Sequence, residues 1–393
     1  MNAVGLSLVL APVALLLYSY LLYPLTLRLL ASLRDRMPAA EPEEWPHVSI
    51  SVPVYNEKGQ ITALLDSLLA LDYPADRRQI LVVSDASDDG TDEVVRSYAA
   101  RGIELLRMRS RGGKTAAENA AARLLRGDIV VNTDASIRIE RGALKRLVAS
   151  FAEPQVGVAS GRDVSVVHAA GGGNAGEAGY VGYEMGVRAL ETRVAGIVGA
   201  SGCFYAIRSQ LHREPLPDWL SRDFASALLA RLHGYRAVSV NDAVCYVPRT
   251  TSLAREYQRK VRTMARGMET LWHLHRLLNP FRFGWFSWML FSHKVCRWLV
   301  PWSGLGFLAG LALLSTTHRS AALLLAAALG GLALAAAAWR LQDRRRLPRP
   351  LSLAAFVLAG NAAAIHATIE ALRGDRNAVW EPTRREGVAA AAR

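Results

Sequence analysis

Three polar residues stand where apolar runs stop: Asn56 after "SVPVY", Asp85 after "ILVVS" and Asp134 after "DIVVNT". Open α/β sheets bind their ligands outside the carboxyl ends of the strands, so carboxylates and amides at such points can hold a substrate. A short polar loop is also simply how a strand ends, and spacing alone leaves Asp134 undecided. The run "GGKT" (112–115) adds a lysine at a helix start, where backbone N–H groups favour phosphate. It is not a P-loop, because that motif needs a glycine five residues before Gly113 and Met108 stands there. Lys114 reads equally as a surface lysine that opens a helix.

The elements that must position these residues follow from periodicity. In "HVSISVPVYNE", Val48, Ile50, Val52 and Val54 alternate before Pro53 and Asn56 signal a turn. "ITALLDSLLAL" has helical spacing, "QILVVSDASDDGT" runs from a strand into an acidic turn, and "DEVVRSYAARG" is a helix closed by Gly102. "IELLRM", "GKTAAENAAARLLRG" and "DIVVNTDA" continue the pattern as strand, helix and strand. This alternation predicts an α/β domain with a mostly parallel sheet wrapped by helices, and Asn56, Asp85 and Asp134 fall together at its strand ends.

Hydropathy places this domain between membrane segments. Charge-free apolar stretches run over Met1–Leu27, Trp298–His318, Ser320–Trp339 and Leu351–Ile369, each about the 20 residues that a crossing helix needs. The first has no Lys or Arg before its apolar core and reads as a permanent anchor, not a cleaved signal peptide. Arg28, Arg34 and Arg36 follow it, which puts the α/β domain in the cytoplasm and the protein in the inner membrane as a multi-pass chain. The loop "RLQDRRRLPRP" is then cytoplasmic and "STTHRS" external, whereas three crossings would leave the arginines of 373–385 outside, so either the last segment does not cross fully or the tail breaks the rule. The net charge of +13 does not signal nucleic acid, since many basic residues flank apolar segments and suit lipid headgroups. Cys203, Cys245 and Cys296 lack metal-ligand spacing, and disulfides are rare in the compartment expected for the first two.

Seven segments in order, "SVPVYNE", "VVSDASDDGTDE", "GKTAAENAA", "DIVVNTDAS", "GCFYAIRS", "RDFASALLARLHGYRAVSV" and "REYQRKVRTMARG", resemble motifs of membrane-integrated family-2 glycosyltransferases. That group includes cellulose, chitin, hyaluronan and poly-N-acetylglucosamine synthases. The resemblance runs from about Val48 to "SHKVCRWLVPW". It implies a GT-A-type, Rossmann-like domain with a mixed, mostly parallel sheet, between an N-terminal and about three C-terminal transmembrane helices. The expected layout is an anchor at 1–30, a linker at 31–46, the GT-A domain at 47–250, basic and interfacial helices at 251–297, transmembrane helices at 298–372 and a basic tail at 373–393.

The resemblance also implies a UDP-sugar donor with Mg²⁺ or Mn²⁺. Asp85 matches the acid that holds uridine, with Pro53, Tyr55, Asn56 and Glu57 lining the same pocket and Lys114 near the phosphates. Asp134 matches the first carboxylate of the metal-binding signature, while Ser136 stands where the second acid belongs and Asn132 is a candidate helper. Asp223 in "SRDF" matches the general base, although Arg222 replaces the glutamate usually before it and a helix N-cap is its structural alternative. Arg259 and Arg262 match the last motif, whose glutamine and tryptophan are replaced here by Arg259 and Thr263. Arg259, Arg262 and Arg266 share a helix face that reads either as phosphate-binding or as meeting headgroups. Loss of the tryptophan favours transfer of one or a few sugars over long-chain synthesis. "GYVGYEMGVRALETRVAG" resembles the helix before the acceptor site, with Tyr180, Tyr183 and Glu184 as candidate lining, and "HAAGGGNAGEAG" reads as a mobile loop.

The expectation is therefore an inverting transferase that moves a hexose or N-acetylhexosamine to a glycan or lipid-linked acceptor, with membrane lipids and accessory synthase subunits as partners. The alternative is a catalytically silent UDP-sugar-binding subunit of a synthase complex.

Overall fold

The computed structural model describes residues 2–34, 42–166, 175–248, 252–342 and 347–374. The glycine-rich loop ahead of helix 175–194 and the arginine-rich tail fall largely or wholly outside these residues. The domain is built on an eight-stranded sheet: β1 (Val48–Val54), β2 (Arg78–Ser84), β3 (Ile103–Arg107), β4 (Ile129–Thr133), β5 (Arg138–Ile139), β6 (Val156–Val166), β7 (Phe204–Arg208) and β8 (Arg236–Pro248). Their order is β3-β2-β1-β4-β7-β6-β8-β5. The pairs β1–β2, β1–β4, β2–β3 and β6–β8 are parallel, whereas β7 runs antiparallel to both neighbours and β5 antiparallel to β8. All seven residues of β1 are buried, as befits a central strand covered by helices on both faces. The helix Lys58–Leu69 covers one face through Ile61, Leu64, Leu65 and Leu68, a spacing of one helical stripe.

Among the described residues four helices are long and apolar enough to cross a membrane: Asn2–Ser32, Trp285–Ser315, Arg319–Gln342 and Arg349–Arg373. The first and second pack closely where small residues meet. A Cβ on Gly310 would lie 2.9 Å from the Gly5 carbonyl, so the crossing needs glycine there. The helix Leu253–His273, capped by the Ser252 side chain, packs Val261 and Ala265 against Ala363 and Ala367 of the last helix.

The second apolar helix is continuous from Trp285 to Ser315, joining the stretch expected to be interfacial to the one expected to cross, and takes in His293, Lys294 and Arg297. Those residues look interfacial in sequence, but two of them are satisfied by carboxylates from a distant helix. His293 bridges Glu184 (2.9 Å) and Glu191 (2.6 Å), Arg297 pairs with Glu184, and Tyr23 donates to Glu191 at 2.5 Å. Burial by itself would raise Glu184 and Glu191, yet His293 beside both holds each below the usual carboxylate range. This buried network ties helix 175–194, and with it the site described next, to two membrane helices.

Candidate active site

The ends of β1 and β2 form the first wall. Asn56 and Ala86 both sit at positive φ (53° and 59°), a conformation that costs a non-glycine residue about 1–3 kcal/mol and persists only where its surroundings enforce it. Here they do. Asn56 Nδ2 donates to Asp88 Oδ1 at 2.8 Å, the Asp88 N–H returns a bond to Asn56 Oδ1 at 3.0 Å, and the Asn56 N–H reaches Ser87 Oγ at 3.1 Å. The Glu57 N–H donates to Thr91 Oγ1 at 2.9 Å, and the Arg111 guanidinium lies 3.8 Å from the Tyr55 ring centre. Pro53 is buried within β1, so of the expected pocket residues it contributes backbone alone.

Asp85 is nearly buried, and its two oxygens accept the N–H groups of Gly112 (2.7 Å) and Gly113 (2.8 Å). The carboxylate thus fixes the loop that delivers Lys114. Gly113 adopts φ +90°, which a side chain would resist.

Lys114 opens the helix Lys114–Ala121 and points into the site, not to solvent. Its Nζ lies 2.7 Å from Asp134 Oδ1 and donates to the Gly202 carbonyl at 3.0 Å. Although burial disfavours its charge, Asp134, Glu118 and Asp223 together hold its pKa above the usual lysine range. Lys114, Asp134 and Asp223 therefore meet around Gly202. A Cβ there would lie 2.5 Å from Asp223 Oδ2, so only glycine admits the carboxylate in this position. Asp223 is not the helix N-cap. Ser221 holds that place, and Asp223 Oδ1 accepts from the Ser221 hydroxyl and, at 2.9 Å, from the Phe224 N–H. Its second oxygen faces the Gly202 loop.

Four more residues border the site, and two of them, Glu118 and Asp163, escaped sequence reasoning. Arg222, which replaces the expected glutamate, is buried and lies 3.7 Å from the equally buried Glu118. Burial first, only partly offset by Lys114 and Arg222, raises the Glu118 pKa. Glu118 stands one helical turn after Lys114, and that spacing was the available signal. Arg266 reaches Thr115 Oγ1 (3.1 Å) and the Leu220 carbonyl (2.7 Å) at the base of the same helix. Asp163, within β6, accepts from Ser201 Oγ (2.7 and 2.8 Å) beside Gly202, and lines a cavity of about 430 Å³ against Val181, Met185 and Asn241.

The basic helix divides its arginines. Arg259 pairs with Glu256 (2.5 Å) and Glu177 (2.8 Å), Arg266 faces the Lys114 helix, and Arg262 lies between them on the same helix. Tyr183 donates to the Tyr20 carbonyl at 3.2 Å, and Glu184 belongs to the membrane-side network. These two candidate acceptor-lining residues thus couple helix 175–194 to the membrane helices.

Among the described residues no three His, Cys, Asp or Glu side chains converge as a ready-made metal site. Asp134 and Ser136 carry oxygen donors of the kind Mg²⁺ or Mn²⁺ takes, but Lys114 Nζ holds Asp134 Oδ1 at 2.7 Å, so a cation there would share that carboxylate with the lysine.

The sequence model for glycosyl transferase family 2 matches residues 49–201, from β1 to the Gly202 loop. Residues 49–201 are a family-2 glycosyltransferase domain. Among curated relatives, a stretch of 117 residues is 32% identical to beta-monoglucosyldiacylglycerol synthase of Synechocystis sp., covering 29% of this chain and 24% of that protein. Another, of 118 residues, is 30% identical to the glycosyltransferase AglE of Haloferax volcanii, covering 30% of this chain and 39% of that one. The matches thus span about a quarter to two fifths of these relatives. The likeness to a solved structure is broader. The mannosyltransferase PcManGT of Pyrobaculum calidifontis, determined with GDP-Man and Mn²⁺, superposes with a TM-score of 0.71 and 25% identity over 94% of this chain and 98% of that one. The glycosyltransferase domain has the GT-A fold, with one candidate membrane helix before it and three after.

Proposed function

We propose that the protein is an inverting glycosyltransferase that moves one sugar from a nucleoside-diphosphate donor to an acceptor hydroxyl at the cytoplasmic face of a membrane. The observation that carries this reading is the convergence of Lys114, Asp134 and Asp223 on Gly202, at the carboxyl ends of the strands. The pocket edged by Asn56, Asp85 and Arg111 receives the nucleotide, and Lys114 and Arg266 lie on the phosphate side. Asp134, with Ser136, would hold a divalent cation, which supplies positive charge for the departing diphosphate. Asp223 accepts the proton of the acceptor hydroxyl, whose oxygen forms a bond to the anomeric carbon. The bond from that carbon to the β-phosphate oxygen breaks, and the diphosphate leaves with the electron pair. One displacement inverts the anomeric configuration.

The family resemblance points to a UDP-sugar, while the solved relative holds GDP-Man. The donor is therefore tested as a panel. Purified full-length protein is given UDP- and GDP-sugars with Mn²⁺ and a membrane lipid extract, and nucleotide release and labelled product are followed. Turnover of one donor with a glycosylated product supports the reading. Nucleotide binding without turnover of any donor would favour a silent binding subunit instead, as the single acid of "NTDAS" allows.

A further inference from the structure

One short stretch of backbone serves all three residues of the proposed centre. The Gly202 carbonyl accepts from Lys114 Nζ at 3.0 Å, and the Cys203 carbonyl accepts from the Asp134 N–H at 3.3 Å. The bare Cα of Gly202 leaves room for the Asp223 carboxylate. Backbone groups hold their partners in place only while the chain around them keeps one conformation, which a loop does only when something orders it. What orders this one decides where Lys114, Asp134 and Asp223 stand.

The ordering groups come from β6. That strand makes its last pairing with β7 at Ser160 and shifts register against β8 between Ser160 and Arg162, so it runs on beside the loop that precedes β7. Ser160, fully buried, accepts the Ser201 N–H at 2.8 Å. Three residues on, both carboxylate oxygens of Asp163 accept from the Ser201 hydroxyl, at 2.8 and 2.7 Å. The same Ser201 Oγ accepts the Cys203 N–H at 3.2 Å. The single hydroxyl proton thus goes to Asp163 and a lone pair to Cys203, with Gly202 between them. A hydroxyl donating to a carboxylate is of the stronger, charge-assisted kind, and the other group donating to Asp163 is the Cys245 thiol at 3.4 Å. We propose that Asp163 is a positioning residue for the transfer. Through Ser201 it fixes the turn 201–203, whose carbonyls and Cα keep Lys114, Asp134 and Asp223 in register. The role rests on the transferase reading above and adds to it a residue that acts through the loop.

The test compares the full-length wild type with Asp163→Ala, Asp163→Asn and Ser201→Ala in detergent. Two quantities are read: hydrogen exchange of peptides spanning 199–203, and steady-state nucleotide release. Asp163→Ala should speed exchange in that loop by about tenfold or more while β1 and β4 exchange as before. It should also lower kcat and kcat/KM together, by about 10²-fold, as expected for misplaced reacting groups and not for a weakened donor site. Asp163→Asn, whose amide oxygen still accepts from Ser201, recovers most of both readouts and carries the test should Asp163→Ala fail to fold. Adding Asp163→Ala to Ser201→Ala should change neither readout further, because both act through one bond. Wild-type exchange of the loop in Asp163→Ala overturns the inference, and so does a wild-type kcat in a folded variant whose loop is loosened. A loosened loop in a protein that turns over no donor leaves the contact between Asp163 and Ser201 standing and refutes the transferase reading alone.

Discussion

Gly202→Ala isolates the geometry on which the mechanism depends. Gly202 lies outside the left-handed region, so alanine meets no backbone penalty there, but its Cβ would sit 2.5 Å from Asp223 Oδ2 and 3.3 Å from Cγ. Reaching an ordinary contact of 3.4 Å requires the carboxylate oxygen to retreat by about 0.9 Å. It cannot do so freely, because Oδ1 is held by the Ser221 hydroxyl and the Phe224 N–H. A misplacement of about 1 Å at a reacting group costs on the order of 10²-fold in rate, or roughly 2.7 kcal/mol of barrier. The atoms nearest that Cβ all belong to Asp223, and Asn56, Asp85 and Arg111, proposed to edge the nucleotide pocket, are not among them. The assay is steady-state nucleotide release by the purified variant alongside a nucleotide titration and a thermal melt. The expected result is kcat down about 100-fold with donor affinity unchanged. A folded variant whose kcat stays within about threefold of wild type would refute the placement of Asp223 against that loop.

Other consequences are independent of this one. The pKa of Lys114 is higher in the folded than in the unfolded chain, so its ion pair with Asp134 contributes fully below the unfolded lysine value of about 10.4 and is lost only above it. Melting temperature and donor affinity should therefore show no Lys114-dependent change between about pH 7 and 9 when wild type and Lys114→Met are compared. Ser136→Asp supplies a second carboxylate beside Asp134 and should lower the Mn²⁺ concentration giving half-maximal rate, as read by metal titration after chelation. Glu191→Gln removes the buried charge between Tyr23 and His293 and should cost about 3–5 kcal/mol, seen as an earlier melt in detergent.

Much of the domain was legible because its strands are buried and its turns are polar. β2 and β4 announce themselves by unbroken apolar residues and β1 by alternating ones, and the three polar residues that follow them do fall at strand ends. Side-chain partners were not legible, since they come from distant segments. Arg222 looks in sequence like a damaged motif, yet it lies against Glu118, 104 positions earlier. His293 and Arg297 look like headgroup-facing residues, yet Glu184 and Glu191 satisfy them inside the protein, which lets the helix run continuously from Trp285 to Ser315. Lys114 read equally as a surface lysine because nothing local shows that β4 and the Gly202 loop converge on it.

The most direct test of the central claim is Asp223→Asn. The amide keeps the size and the Oδ1 contacts of aspartate but cannot accept the acceptor's proton at neutral pH. Donor binding and turnover are measured on the same preparation. The account predicts unchanged nucleotide affinity and a rate down by about 10²–10⁴, the range a general base contributes. Turnover that persists near the wild-type rate in a folded Asp223→Asn protein would contradict it.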